Sequence, residues 1–406
     1  MLKEQKLINN LSELCLLALI VAIWAFNEEK YIVYPIKIVF IVMYLLKWSF
    51  SGGRVNFYQA WCLIMAGLSL IFALYASHLN ASLYTLVNMI QVLLIGFALS
   101  GSLIDKGETH KAFNYIIIGG MTLAVRLLIV TPPSVWLSYM RLGDAIHYNS
   151  NDVGNKAAIA AIVSLCLFKN SQKKSRKIYL ACFIALSIIT VFSGSRKSLI
   201  AIVLTIVMLY TIGLENKKNI VFGSIGIAVA FGISYHLIMN NEVLYATMGR
   251  RLESMIDVIF HGGSERSSID LRYKYMNAAI ELIKQSPFFG IGLGNFAIVS
   301  GIGRYCHNDY LEVACSYGIL GAIVYYSNYF VLLYKLIGYK GKQELDNSCI
   351  IILAVLLVNF LTMVMYTSAY VQIILALLWA HYNLEMKKRN WMKGDTALTS
   401  NNNLTQ

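Results

Sequence analysis

Five cations sit where an apolar sequence has no ordinary use for them. Lys37, Arg126 and Lys156 interrupt apolar runs, and Arg196 with Lys197 occupies the short turn between two such runs. A charge placed mid-membrane costs about 2.5–3.5 kcal/mol on insertion scales, and less near the interface. Snorkelling of Lys37 and Lys156 to the headgroups would explain each singly. Taken with Arg250, Arg251, Arg266, Arg272 and Arg304 further along, they describe a cationic pocket suited to a phosphate-bearing ligand. Arginine fits that use because its planar fork holds two oxygens at once and stays charged when partly desolvated. His307 adds a base, since an imidazole of ordinary pKa about 6.5 accepts a proton near neutral pH. Around it Asn295, Asn308, Asp309, Tyr310 and Glu312 offer partners for hydroxyl groups, although Glu312 reads equally well as a cap of the following helix.

These residues must be positioned by a membrane-embedded frame. The chain has 406 residues, 58% hydrophobic and 14% charged, with a mean hydropathy of +0.61. Soluble domains carry about 25% charged residues, so the apolar excess must face lipid. Spans are expected near 8–26, 31–49, 56–77, 82–103, 112–131, 153–168, 178–194, 198–214, 219–239, 311–335, 348–366 and 369–386, about twelve helices in an all-α polytopic fold. The first is read as an uncleaved span. Four regions follow: N-terminal spans over 1–239, a large loop over 240–310, C-terminal spans over 311–386 and a basic tail over 387–406.

With both termini in the cytoplasm, Lys47/Arg54, Lys106/Lys111, the run from Lys169 to Lys177, Lys217/Lys218, Lys340/Lys342 and Lys387 to Lys393 all fall inside. The net charge of +13 is thereby explained without nucleic acid. The long loops, 132–152 and 240–308, fall outside. Within the second, Ser267 to Asp270 offers helix caps, Tyr273, Met276, Ile280 and Ile283 repeat as one apolar face, and Ser286-Pro287 ends the helix. Gly290-x-Gly292-x-Gly294 matches a dinucleotide fingerprint only as a pattern, because no strand precedes it; a tight turn beside the site, with N–H groups available to an anion, is the expected use. The seven cysteines show no metal-ligand spacing, and neither metal nor cofactor is expected.

Ser193-Gly194-Ser195-Arg196, Arg272-Tyr273-Lys274-Tyr275, the segment Ser286 to Phe296, His307-Asn308-Asp309-Tyr310-Leu311-Glu312 and Tyr317-Gly318-Ile319-Leu320-Gly321 occur in this order. Together they resemble the O-antigen ligase / O-antigen polymerase (Wzy-type) superfamily of bacterial membrane glycosyltransferases. The resemblance covers residues 193–321. It implies metal-independent transfer of glycan from an undecaprenyl-diphosphate donor to an acceptor hydroxyl, on the outer side of the bacterial inner membrane. It implies that His307 matches the histidine proposed as general base, and that Arg196 and Arg272 match the arginines proposed to hold the pyrophosphate. Arg126 and Lys37 join them by the charge argument.

The expected partners are the lipid-linked oligosaccharide, membrane lipid, and a chain-length regulator or flippase. A polymerase of surface polysaccharide is the first expectation, and a ligase acting on lipid A core or another acceptor is the alternative. Two further readings remain: a transferase using Glu28 or Glu29 as its base, and a flippase.

Overall fold

The computed structural model describes residues 2–50, 52–103, 106–136, 141–144, 148–211, 232, 235–250, 252–253, 256, 268–338 and 344–402. Among the described residues the chain is all-helical, without a strand. The long helices are α1 (Leu2–Ala25), α2 (Lys30–Phe50), α3 (Phe57–Leu74), α4 (Leu79–Ser102), α5 (Lys106–Val130), α6 (Ser150–Lys169), α7 (Lys173–Phe192), α8 (Arg196–Thr211), α9 (Ser268–Gln285), α10 (Asp309–Gly338), α11 (Glu344–Asn359) and α12 (Ala369–Asn402).

Eight of these, α1 to α7 and α10, are long and apolar enough to cross a bilayer, and the chain is a multi-pass membrane protein. The expected count of twelve spans is not reached among the described residues. Helices α8, α11 and α12 lie at three further expected spans, but α8 and α11 have only 16 residues each. Helix α11 ends at Asn359 rather than 366, and residues 360–368 turn back before α12. Most of the remaining span, 219–239, lies outside the described residues, as do Arg251, Arg266, Lys217, Lys218, Lys340 and Lys342.

The helices are apolar on two faces because they meet protein on one and lipid on the other. Helix α2 buries Val33, Phe40 and Tyr44 while exposing Ile38, Val42 and Leu46. Helix α6 is the innermost span, packed by α5, α7, α8 and α11. Its alanines permit this: a Cβ on Gly120 of α5 would stand 2.4 Å from the Ala160 methyl, so the two backbones approach as small residues in membrane interfaces allow.

Hydrogen bonds gather the connecting loops at one end. Arg141 Nε donates to Ser193 O at 3.0 Å, Ser82 Oγ to Leu293 O at 2.6 Å, and Asp309 N to Phe360 O at 2.8 Å. At the other end Lys47, buried rather than free in a loop, pairs with Glu108 at 2.8 Å.

Helix α9 forms where the sequence places it, but turned by one residue. Tyr273 and Ile280 of the expected apolar face are exposed, and the inward face is Arg272, Tyr275, Met276, Ala279, Leu282 and Ile283. Ala279 and Leu282 pack with Phe296, Cys306 and Cys315, and this small core selects the face. The consequence is chemical, because it turns Arg272 and Tyr275 inward.

Candidate active site

The loop after α9 is seated by an exchange of hydrogen bonds. In a continuous helix Ile319 N would donate to Cys315 O. Gly318 breaks α10 with φ 70° and ψ 176°, so Ile319 N donates to Pro287 O and Cys315 O accepts from Ile291 N, both at 2.8 Å. One helical bond becomes two bonds that clamp residues 287–291. A Cβ on Gly318 would meet Phe288 O at 2.1 Å.

The run from Gly290 to Gly294 is the expected tight turn. Its N–H groups are largely spent within the protein: Gly290 on Ser286 O, Leu293 on Phe72 O and Gly294 on Ser316 Oγ, besides Ile291. They serve anchoring rather than an anion.

That anchoring presents His307. Among the described residues it is the only non-glycine at positive φ, 62°, a conformation that costs energy and persists only when neighbours enforce it. Both neighbours do. Cys306 N donates to Glu312 Oε2 at 2.8 Å and Cys306 Sγ to Asn308 O at 2.9 Å. Asn308 caps α10 by accepting from Leu311 N at 3.1 Å, and its Nδ2 donates to Leu361 O at 3.3 Å. The imidazole packs on Tyr305, centroids 4.3 Å apart and tilted by 56°, and stacks near parallel with Tyr275 at 5.9 Å.

Burial first, then the charges of Arg272, Lys197 and Arg304, push the His307 imidazole down to about 4. It is therefore neutral at pH 7 with a ring nitrogen free of a proton. Burial also raises the neighbouring Tyr305 hydroxyl, against the opposing effect of Arg272 and Arg304. Three basic side chains from α8, α9 and the loop thus act on one neutral ring, and burial first, then Arg272, push the Lys197 ammonium itself down to about 7. Among the described residues no carboxylate forms an ion pair with Lys197, Arg272 or Arg304.

The expected site residues separate into groups. His307 and Arg272 come together. Arg196 opens α8, half-buried, beside Lys197, and it is Lys197 whose charge reaches His307 and whose ammonium contacts Met363 Sδ. Lys197 and Arg304, read from sequence only as members of a diffuse cationic group, belong to the site with Tyr275 and Tyr305. The available signal was adjacency: Lys197 follows Arg196, and Arg304-Tyr305 precedes His307 by two residues.

Arg126 is elsewhere. It forks onto both oxygens of Glu29, donates to Ala25 O, and lies over Phe26 and Tyr148. Lys37 donates to Gln91 Oε1 at 3.3 Å and faces a separate cavity. Asn295, Asn308, Asp309, Tyr310 and Glu312 brace the loops. Asn295 accepts from His78 N at 3.0 Å and donates to Leu293 O at 3.0 Å. Asp309 Oδ1 accepts from Met365 N and Tyr366 N, its Oδ2 accepts from Tyr326, and Tyr310 donates to Leu357 O. Glu312 holds the peptide before His307 instead of the ring itself.

Residues 180–326 match the family described as O-antigen ligase. Members of that family are glycosyltransferase-like enzymes, and the matched segment contains Arg196, Lys197, Arg272, Arg304 and His307. No curated protein matches the chain.

Proposed function

We propose that this protein is a polysaccharide polymerase, transferring glycan from an undecaprenyl-diphosphate-linked donor to a sugar hydroxyl of a second lipid-linked unit. The reaction breaks the bond between the donor's anomeric carbon and its phosphate oxygen, and forms a bond from that carbon to the acceptor oxygen. Negative charge grows on the leaving diphosphate. Arg272, Lys197 and Arg304, with Arg196 beside them, are fixed donors for it. His307 takes the acceptor proton. An imidazole held near 4 is a weak base, but a bound diphosphate offsets the three cations and lifts its basicity when both substrates are present. The cations supply the charge stabilisation, so chelators should leave turnover unchanged. The observation that carries this reading is the convergence of the three cations on a strained, uncharged His307.

The family's description favours a second reading, a ligase that passes glycan to a different acceptor. The base-in-the-first-loop reading loses support at Glu29, because Arg126 first, and Tyr148 as well, hold its carboxyl below its ordinary range, which makes it a poor proton acceptor. One experiment separates what remains. Purified protein is incubated with a single lipid-linked repeat unit: a ladder of longer products means polymerase, and product only after a second acceptor is added means ligase. Movement of the lipid between leaflets with no change of glycan length would leave only a transporter. The active side is proposed to be extracytoplasmic, with both termini in the cytoplasm.

A further inference from the structure

Next to the cationic cluster lies a cavity of about 260 Å³, walled by Tyr34 and Lys37 of α2, Tyr84 and Asn88 of α4, and Asp152 and Lys156 of α6. Residues 367–370 close it. It adjoins the His307 site through Asp152, which is near enough to Lys197 and to Tyr305 for its charge to act on both. None of these wall residues falls in the matched segment 180–326.

The chemistry of the wall discriminates between ligands. Lys156 is only 3% exposed and pairs with Asp152 at 2.7 Å, and Glu28 stands at the rim with Lys30. Charges of both signs are mixed here, so a diphosphate would meet carboxylates, whereas the charges that act on the His307 ring are all cationic. A lipid tail would meet ammonium and carboxylate groups. Along α10, by contrast, a groove of about 400 Å³ is walled by Ala314, Ile319, Ala322, Ile323 and Phe330 among others, the kind of surface an alkyl chain fits. Sugar rings carry hydroxyls that both donate and accept, and C–H faces that pack on aromatic rings. Asn88, Asp152 and Lys156 supply the first need, and Tyr34 and Tyr84 the second.

We infer that the α2–α4–α6 cavity is a sugar subsite that seats the acceptor glycan, with its reacting hydroxyl turned toward His307. The inference rests on the transfer reading for its acceptor role. The diphosphate cluster is already matched to the donor's leaving group, which leaves the neutral, hydroxyl-bearing partner for the cavity of mixed charge.

The test uses the full chain in nanodiscs and the labelled oligosaccharide released by mild acid from the lipid-linked repeat unit. This probe has no diphosphate to leave, so it enters product only as an acceptor. It should bind, with affinity weakened at least about tenfold by Tyr84→Ala and by Asn88→Ala, and changed less than about twofold by Arg272→Lys. Tyr84 is 62% exposed, so its truncation leaves the core intact, and a thermal melt checks both variants. With unlabelled lipid-linked donor added, the label should move into longer chains. Absence of binding, or binding indifferent to Tyr84 and Asn88, overturns the subsite. Bound label that is never extended, while lipid-linked units do join each other in the same tube, overturns its acceptor role. If lipid-linked units fail to join while binding still depends on both residues, the sugar subsite stands and the polymerase reading falls.

Discussion

Two guanidinium groups at the same end of this bundle meet opposite fates. Arg126 is saturated: the Glu29 carboxylate takes its fork, Ala25 O takes a further bond, and Tyr148 donates to both Glu29 oxygens at 2.7 and 2.8 Å. Arg272 faces inward among other cations and an uncharged imidazole, with no ion pair among the described residues. An isolated cation in an apolar span is thus no evidence of function until its partner is known. A paired one fastens helices, α5 to the turn before α2 in this case. Several around a base, with no ion pair among the described residues, are what the proposed anion site requires.

That contrast can be broken by substitution, and the largest effect should come from His307→Ala. Transfer should fall about 10²- to 10⁴-fold while the thermal midpoint stays within a few degrees; loss of folded protein would make His307 a packing residue. Arg272→Lys keeps the charge and loses the fork, so turnover should drop about tenfold to a hundredfold. Normal donor affinity and turnover in that variant would remove the diphosphate role.

Glu29→Gln should do the reverse. It should leave turnover within about twofold and cost about 1–3 kcal/mol of stability, because a partly buried guanidinium loses its partner. Thermal melts and transfer assays on the same preparation decide between the two patterns.

The smallest expected effect is in the acid limb of stability. Glu29 is held below its ordinary value in the folded protein, so its contribution is complete above the unfolded carboxylate pKa and disappears as pH falls through the folded one. His307 adds a loss of the same sign at higher pH, since it stays neutral in the fold down to about 4 while the unfolded chain takes up a proton near 6.5. In a His307→Gln background, Glu29→Gln should flatten what acid sensitivity remains.

Much of the frame was legible because spacing carries it. Apolar runs located the helices, and Ser286-Pro287 marked the end of α9. The helix's working face was misjudged because Tyr273 and Ile280 are apolar by composition, and only the core of Phe296, Cys306 and Cys315 from distant sequence decides which stripe turns inward. His307 and Arg272 stand out through motif order. Lys197 follows Arg196 at a helix start, where adjacent residues point about 100° apart, so sequence does not say which of the two faces the site. The bracing roles of Asn295, Asp309 and Tyr310 depend on loop partners such as His78, Met365 and Leu357, and no local pattern encodes those contacts.

The electrostatics of the site can be read at one atom. NMR titration of the imidazole carbon proton, assigned by its disappearance in His307→Gln, should give a pKa near 4 that climbs when inorganic pyrophosphate fills the cationic cluster. A value near 6.5 that ignores pyrophosphate would mean that Arg272, Lys197 and Arg304 do not surround His307 in the working protein.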